Sequence, residues 1–262
     1  MHQRDTDADW RAIGSTEPFW GVLAGDEYRK ANLNESAVAR FYTSGQVEMA
    51  GVVERIRNLF DESFSPLLAI DFGCGVGRLS LAMADYAEHV IGVDISARML
   101  AEAETRRAKY KIESVVFVDK LPEDTVHWVN SYLVFQHIPP ERGYGLLAEL
   151  LSRLAPGGVA SIHLTTHRDK QHLPPSLDDI GLCRFDGQVL EVISQASDTS
   201  VGRMRMYDYD LGRVLPTFIA VGIERMWLEH LDHAGHHAFW VLGRKGWTTL
   251  RTANALRGLL VQ

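Results

Sequence analysis

One acidic residue and three glycines form the part of this sequence that is best suited to hold a charged ligand. An apolar run, Leu67 to Ile70, ends at Asp71, and Gly73, Gly75 and Gly77 follow at every second position. Glycine permits a sharp turn and a close approach of the backbone to a ligand. The helical pattern that follows would direct unpaired N–H groups at that ligand. The pattern therefore predicts a strand, a tight binding turn and a helix.

The spacing of these glycines separates two classes of ligand. A dinucleotide turn has the pattern G-x-G-x-x-G and receives a pyrophosphate at the start of its helix. Here the third glycine comes one residue early. The carboxylate of Asp71, just before the turn, would repel a pyrophosphate and attract an ammonium group. The spacing therefore favours the amino-acid end of S-adenosylmethionine over NAD.

A second acidic residue, Asp94, closes the same unit. His89 to Val93 is predicted to be the next strand, and Asp94 stands at its carboxyl end. A carboxylate at that position can accept hydrogen bonds from both hydroxyls of a ribose. S-adenosylmethionine and NAD share this ribose, so Asp94 supports both ligands and does not choose between them.

At these motifs the sequence resembles the class I S-adenosylmethionine-dependent methyltransferases. The resemblance extends from Pro66 to Leu164, and its motifs occur in the family's order: Asp71–Gly77, Gly92–Ser96, Val134–Pro139 and Leu154–Gly158. It implies S-adenosylmethionine as the cofactor and an α/β fold: a Rossmann-like seven-stranded, mostly parallel sheet with an antiparallel C-terminal hairpin and helices on both faces. The sequence departs from the family at His127-Trp128, where an acidic and an apolar residue are usual. This departure would weaken a local hydrogen bond.

The motifs and the resemblance together define a set of cofactor contacts. The predicted set is Asp71, Gly73, Cys74, Gly75, Gly77, Asp94, Ile95, Met99, Asp119, Lys120, Leu121, Leu133, Gln136, Tyr42 and Ser44. Within it, Asp119 would accept the exocyclic amine of adenine, with Lys120 or Leu121 beside the ring. Tyr42 and Ser44 would contact the methionine end. Burial in the core is the alternative for Tyr42 and for Met99.

His137 is the predicted catalytic residue. Methyl transfer from a sulfonium needs an aligned nucleophile and, for some nucleophiles, a base, because the cofactor carries the reactive carbon and the leaving group. His137 follows the strand end that should lie beside the methyl group. A structural role is the alternative for this histidine. The weaker candidates are Tyr28, His163, His167, Tyr209 and His233.

A histidine-rich run, His230 to His237, could suggest a metal site, since two histidines and one aspartate can bind a divalent cation. Successive side chains on a strand face opposite ways, so the adjacent His236 and His237 do not easily share one ion. We therefore interpret the run as the polar rim of a hairpin and expect no metal.

Periodicity predicts the elements that position these residues. Residues 1–60 should form an N-terminal arm or lid and then helices, residues 61–246 the core, and residues 247–262 a tail that could dock as a short helix. Within the core, residues 165–205 should form a loop-rich insertion on the substrate side. The predicted strands and helices include Val126–Phe135, Val159–Leu164, Glu35–Phe60 with a possible break at Gly45, and the hairpin Ile223–Leu231 with His236–Leu242.

Composition limits the partners. The formal net charge is −7 and the pI is about 5.9, which argues against nucleic-acid binding driven by electrostatics. No apolar run approaches the ~18–20 residues of a membrane helix, and the polar N-terminal stretch lacks the apolar centre of a signal peptide. We expect a cytoplasmic protein with a small-molecule acceptor, no nucleic-acid or membrane partner and an undetermined oligomeric state.

The expected activity is methyl transfer to an oxygen or nitrogen nucleophile of a small molecule. The Asn/Asp-Pro-Pro-Tyr/Phe motif of amino methylation of nucleic-acid bases or protein glutamine is missing, since Ile138 to Glu141 reads Ile-Pro-Pro-Glu. A non-catalytic S-adenosylmethionine-binding module is the alternative of another class. A dehydrogenase is a third hypothesis, which the early third glycine disfavours.

Overall fold

The computed structural model describes residues 6–169, 183–185, 189–193 and 203–247. Its strands are β1 (Leu68–Phe72), β2 (His89–Val93), β3 (Val115–Val118), β4 (Val126–Ser131), β5 (Leu154–Arg168), β6 (Cys183–Phe185), β7 (Val189–Ile193), β8 (Arg203–Tyr207), β9 (Ile223–Asp232) and β10 (His236–Lys245). Its α-helices are α1 (Thr6–Thr16), α2 (Pro18–Val22), α3 (Glu35–Leu59), α4 (Arg78–Met83), α5 (Ala97–Tyr110), α6 (Pro140–Ser152) and α7 (Leu211–Ala220). Short 3-10 turns occupy Asp26–Tyr28 and Phe135–His137.

The main sheet has seven strands in the order β3-β2-β1-β4-β5-β10-β9. The first five of these run parallel, while β10 is antiparallel to both β5 and β9. The predicted fold class, including the antiparallel C-terminal hairpin, is therefore confirmed. Because parallel strands share one direction, the carboxyl ends of β1, β2 and β4 meet at one edge of the sheet, where ligands bind in such folds.

Helices cover both faces of this sheet, as predicted. On one face α3 and α4 pack against the strands through buried residues such as Met49, Leu79 and Trp128. On the other face α6 and α7 supply Leu147 and Phe218 to a second core. Burial on both faces explains why apolar residues predominate in β1, β2 and β3.

Helix α3 is continuous from Glu35 to Leu59, so the alternative of a break at Gly45 is wrong. The side chain of Asn34 caps the helix by accepting a hydrogen bond from the backbone N–H of Ala37 at 3.0 Å. A Cβ atom at Gly45 would clash with the backbone oxygen of Arg78. The glycine therefore lets α3 approach α4 closely, which offsets its low helix propensity.

Three sequence predictions about the second half of the core need correction. Strand β4 ends at Ser131 rather than at Phe135, because Leu133 turns the chain with a positive φ of 60°. Strand β5 runs from Leu154 to Arg168, longer than predicted, since it pairs with β10 along its length. The insertion at 165–205 contains the strands of a three-stranded antiparallel sheet, β6-β7-β8, instead of loop alone.

The glycines and prolines around these short strands concealed their pairing from a periodicity analysis. The predicted tail helix lies at residues 248–262, outside the described residues. In the part of the chain that the structure describes, no helix combines the length and apolarity needed to cross a membrane.

Candidate functional site

A cavity of about 780 Å³, counting its open mouth, lies where β1, β2 and β4 end. Strand-end residues form its floor, and residues of α1, α2 and α6 form its walls. The lining residues are Thr6, Asp7, Trp10, Gly21, Val22, Phe72, Gly73, Val93, Asp94, Ile95, Tyr132, Leu133, Val134, His137, Ile138, Arg142 and Leu146. The cavity therefore joins the glycine turn to the end of β4, two features that the sequence analysis placed together.

The glycine turn has the conformation that its residue types predict. Gly73, Gly75 and Gly77 have φ values of 75°, 53° and 79°, all in the left-handed region that disfavours other residues. A Cβ atom at Gly73 would clash with the side chain of Val134, and one at Gly75 would lie 2.5 Å from Val22. Glycine at these two positions therefore leaves the backbone uncovered and avoids a clash with a neighbouring side chain.

The carboxylate of Asp94 lines the cavity and holds the turn in place. One of its oxygens accepts a hydrogen bond from the backbone N–H of Gly75 at 3.0 Å, and the other accepts one from Ser96 at 2.8 Å. Burial raises the pKa of Asp94, although the two N–H groups oppose that shift. Each oxygen keeps a further lone pair, so the carboxylate can still accept hydrogen bonds from ligand hydroxyls.

Asp71 lies beneath the turn instead of against the cavity. Its side chain is only 2% exposed, and its two oxygens accept hydrogen bonds from Ser80 Oγ at 2.6 Å and from Asn130 Nδ2 at 3.0 Å. Burial raises the pKa of this carboxyl, against the two hydrogen bonds. Its charge can thus act on a ligand only through the turn, which corrects the idea of a direct contact with an ammonium group.

The end of β4 contributes a strained residue to the cavity. Leu133 has a φ of 60°, a backbone conformation that costs about 1–3 kcal/mol for a residue other than glycine. Its neighbours Tyr132 and Val134 line the cavity with it. Strain of this kind is typical of ligand sites, and Leu133 is where the sequence predicted a cofactor contact.

His137 lines the cavity with a neutral ring. Its Nδ1 lies 2.7 Å from the backbone oxygen of Arg205, so Nδ1 carries the proton and donates it. Its Nε2 then accepts a hydrogen bond from the amide of Gln136 at 3.1 Å. Burial lowers the pKa of His137 to about 4. The nitrogen that could act as a base is thus engaged by Gln136, and the catalytic role of His137 stays a prediction.

The N-terminal helices wall the cavity. The indole ring of Trp10 lies 4.6 Å from the ring of His137, centroid to centroid. The carboxylate of Asp7 forms an ion pair with Arg142 at 2.6 Å. Toward α5, Gly14 of α1 packs against Ser96 and Gly21 of α2 packs against Met99, so closely that a Cβ atom would clash. The arm therefore spans from α5 to α6 across the cavity.

Several predicted cofactor residues do not line the cavity. The hydroxyl of Tyr42 donates to the backbone oxygen of Val76 at 2.9 Å, and Ser44 accepts a hydrogen bond from the buried Arg78. Both lie on α3 behind the turn, so neither reaches the cavity. Gln136 turns toward His137. The remaining residues away from the lining are Cys74, Gly75, Gly77, Met99, Asp119, Lys120 and Leu121.

The predicted residues outside the lining differ in how deeply they are buried. Met99 is 1% exposed and supports Gly21 of the arm, which favours the core interpretation of this residue. Cys74 is a buried free thiol whose pKa burial raises well above its ordinary value. Asp119 and Lys120 are exposed beyond β3. The predicted residues that the structure brings together at the cavity are Gly73, Asp94, Ile95, Leu133 and His137.

Sequence reasoning missed the walls of the cavity. Trp10, Val22, Tyr132 and Arg142 line it, although none was assigned a site role. Trp10 belongs to the N-terminal segment that was predicted to form an arm or lid. Tyr132 begins the strand end that was predicted to lie beside the methyl group, so position was the available signal for both residues.

The histidine-rich hairpin lies away from the cavity. His163 and His233 face each other with 3.1 Å between their Nε2 atoms, and burial lowers the pKa of His163 to about 3. The rings of His167 and His237 stack at 4.3 Å. Among the described residues, no group of three acidic, histidine or cysteine side chains could hold a metal ion.

The other weaker candidates are also outside the lining. The Tyr209 hydroxyl donates to the backbone oxygen of Ile138 at 2.8 Å and so supports the loop below the cavity. Tyr28 packs its ring against Phe41.

Comparison with known proteins adds three findings. Residues 69–158 match the family described as "Methyltransferase domain". The magnesium protoporphyrin IX methyltransferase of Arabidopsis thaliana chloroplasts is 33% identical over 102 residues, which is 35% of this chain and 31% of that protein. The match thus spans about a third of the curated relative.

Solved structures extend the comparison. The magnesium protoporphyrin IX methyltransferase of Synechocystis PCC 6803, crystallised with S-adenosylhomocysteine, superimposes with a TM-score of 0.62 at 17% identity and covers 92% of this chain and 100% of its own. An S-adenosylmethionine-dependent methyltransferase of Clostridium acetobutylicum ATCC 824 gives a TM-score of 0.54 at 14% identity, covering 87% of this chain and 96% of its own. At these identities the likeness shows a shared fold.

Proposed function

We propose that this chain is a class I S-adenosylmethionine-dependent methyltransferase that transfers the methyl group of S-adenosylmethionine to an oxygen or nitrogen nucleophile of a small molecule. The match of residues 69–158 to the methyltransferase domain family supports this proposal. One observation carries the proposal: the same cavity is lined by Gly73 and Asp94, which we assign to a donor end, and by Trp10 and His137, which we assign to an acceptor end. A donor held at the first end and an acceptor at the second would meet beside β4.

The residues at the first end fit the cofactor. Gly73 presents its backbone to the cavity without a side chain, and Asp94 keeps lone pairs for the ribose hydroxyls. Bound S-adenosylmethionine supplies both the reactive methyl carbon and the leaving group. The protein's own task is then to orient an acceptor and to exclude water.

The residues at the second end suit an apolar acceptor. Trp10, Phe72, Ile138 and Leu146 line the cavity there and would exclude water from the reacting atoms. His137 is neutral in this surrounding, so its Nε2 could receive the acceptor's proton once the amide of Gln136 moves away. Alignment by the cavity walls is the larger part of the catalysis that we propose.

The acceptor panel begins with the compound named in the similar proteins, magnesium protoporphyrin IX. A flat, mostly apolar molecule with a carboxylate nucleophile would match the aromatic lining. Phenols, amines and sugars complete the panel. Nucleic acid is left out of our proposal because the chain's formal net charge is −7.

Titration calorimetry with S-adenosylmethionine, S-adenosylhomocysteine and NAD tests the first part of the proposal. We expect both sulfur ligands to bind and NAD not to bind. Formation of S-adenosylhomocysteine in the presence of each acceptor tests the second part. Absence of binding by either sulfur ligand would refute the proposal, and binding of NAD alone would favour a dehydrogenase.

Binding without turnover on any acceptor would favour a non-catalytic binding module. One observation supports this second candidate: the Nε2 atom of His137 is already engaged by Gln136. Turnover by the wild type with loss of activity in His137→Asn would exclude it, provided that the affinity for S-adenosylhomocysteine is unchanged in the variant.

A further inference from the structure

A row of buried polar residues crosses three neighbouring strands beneath the glycine turn. Asp71 of β1 is the direct partner of Asn130 in β4, and Asn130 is the direct partner of Ser161 in β5. Asn130 and Ser161 are fully buried. Buried polar groups are costly unless they are hydrogen-bonded, so a row at this depth needs a chain of partners.

In each hydrogen bond of this row, the residue types determine which group donates and which accepts. Trp128 Nε1 lies 2.9 Å from Ser161 Oγ and can only donate. The one proton of the Ser161 hydroxyl then goes to Asn130 Oδ1 at 2.7 Å, the shorter of its two acceptors, since the backbone oxygen of Val129 is at 3.5 Å. The amide of Asn130 must therefore turn its Nδ2 to Asp71, at 3.0 Å.

Both oxygens of Asp71 thus accept hydrogen bonds from neutral donors. Asn130 donates to Oδ1, and Ser80, in the first turn of α4, donates to Oδ2 at 2.6 Å. Donors on both oxygens favour the ionised carboxylate, whereas burial favours the neutral acid. A flipped Asn130 amide would present an oxygen to the carboxylate and remove one of these donors.

We propose that Trp128, Ser161 and Asn130 are positioning residues that keep Asp71 ionised beneath the glycine turn, where its charge favours a cationic ligand. This inference rests on the proposed function, because the ligand class is the ammonium-bearing end of S-adenosylmethionine and its product. Trp128 follows His127 at the departure from the family pattern, and its indole N–H begins this hydrogen-bond chain.

Other charged and titratable groups also face Asp71. Arg78 of α4 lowers the pKa of Asp71 by its charge and is itself opposed by Glu48 of α3. Asp94 at the end of β2 and the thiol of Cys74 interact with Asp71 electrostatically. All of these groups are present in the wild type and in variants of the chain, so a comparison of pH profiles isolates the hydrogen-bond chain.

The test compares two variants that break the chain with one that does not. Trp128→Phe removes only the first donor, and Ser161→Ala removes the hydroxyl. Ser131→Ala is the matched control, because Ser131 is equally buried in β4 and its hydroxyl has no hydrogen-bond partner among the residues that the structure describes. The affinity for S-adenosylhomocysteine is measured by calorimetry between about pH 8 and about pH 6, and thermal stability is recorded in parallel.

As the pH falls, we expect the two chain-breaking variants to lose roughly tenfold more affinity than the wild type. Fewer hydrogen-bond donors to Asp71 make its carboxylate easier to protonate. Ser131→Ala should follow the wild type. Asp71→Asn should bind S-adenosylhomocysteine weakly and without this additional pH dependence. The double variant with Ser161→Ala should have the same affinity–pH profile as Asp71→Asn.

Profiles parallel to the wild type in Trp128→Phe and Ser161→Ala, with only thermal stability reduced, would overturn the inference and assign the chain a structural role. Failure of the proposed function has a separate signature, since the wild type would then bind no S-adenosylhomocysteine at any pH.

Discussion

The two ends of the cavity are built in different ways. The donor end belongs to one βαβ unit, where the bond between Gly75 and Asp94 joins residues 19 positions apart. The acceptor end combines segments from the whole chain: the bond from His137 to Arg205 spans 68 positions, and the ion pair between Asp7 and Arg142 spans 135. One end is a local motif, and the other is an assembly of distant pieces.

This difference indicates what each end tolerates. The donor end depends on backbone conformations that only glycine adopts without strain, so single substitutions there should be severe. The acceptor end depends on packing and on exposed or half-buried side chains, so its substitutions should be milder and should affect stability or acceptor binding first. Four predictions test this comparison.

The largest effect should come from Gly73→Ala. The new Cβ would clash with Val134 and would sit on a residue with a φ of 75°. We expect the affinity for S-adenosylhomocysteine to fall at least about a hundredfold, measured by calorimetry. The control is Gly145→Ala in α6, where no atom of the described part of the chain lies within 4 Å of the added Cβ. Nearly unchanged affinity in Gly73→Ala would show that the turn is not the donor site.

At the acceptor end, the burial of His137 should make the free energy of unfolding depend on pH. Burial lowers the folded-state pKa of His137 to about 4, below the ~6.5 of an unfolded histidine. Between these values only the unfolded chain binds the proton, so the free energy of unfolding falls as the pH falls.

His137→Asn keeps a donor for the backbone oxygen of Arg205 and removes the titration. Between pH 7 and pH 5 we expect this variant to lose about 2 kcal/mol less stability than the wild type in urea unfolding. His89→Asn, at the exposed start of β2, is the control and should follow the wild type. Identical slopes in all three proteins would mean that His137 is not held neutral by the fold.

Asp94→Ala should have the next largest effect. The change removes two hydrogen-bond acceptors that hold Gly75 and Ser96, together with the proposed ribose contact. We expect the affinity for S-adenosylhomocysteine to fall at least roughly tenfold, about 1.4 kcal/mol. Asp85→Ala, an exposed residue just after α4, should leave the affinity as it is. Equal affinities for Asp94→Ala and the wild type would contradict the ribose assignment.

The smallest effect should come from the ion pair across the cavity wall. Asp7 and Arg142 are partly exposed, and pairs of that kind contribute about 0–1 kcal/mol. Asp7→Asn should change the thermal midpoint little and leave the affinity for S-adenosylhomocysteine intact. Glu102→Gln, which breaks the exposed pair with Arg98 on α5, is the matched control. A large loss of cofactor affinity in Asp7→Asn alone would show that the arm belongs to the donor end.

The sequence predicted the conformation of the glycine turn because the information for a turn is local. The spacing of Gly73, Gly75 and Gly77 determines the turn, and Asp94 follows within the same unit. Local side chains also account for the helix caps at Asn34 and Ser96 that the structure shows. Alternation of strand and helix is typical of a parallel sheet, because parallel strands need crossover connections.

Predictions that required the direction of a side chain were less successful. Tyr42 and Ser44 have suitable chemistry and lie near the turn, but α3 carries them behind it. Asp71 is the predicted acidic residue. The register of β1 with β4 places Asn130 beside it, and the amide of Asn130 donates a hydrogen bond to one carboxylate oxygen. Register is a property of the assembled sheet and is not visible in one strand.

The sequence by itself determined the fold class, the conformation of the glycine turn and the positions of the two acids at strand ends. Only the tertiary structure decided that Trp10 lies against His137, that β6-β7-β8 form a second sheet, and that Trp128 donates into the chain leading to Asp71. The physical reason is contact range. Turn geometry follows from the φ and ψ preferences of neighbouring residues, whereas the walls and the buried hydrogen-bond chain exist only after segments far apart in sequence have packed together.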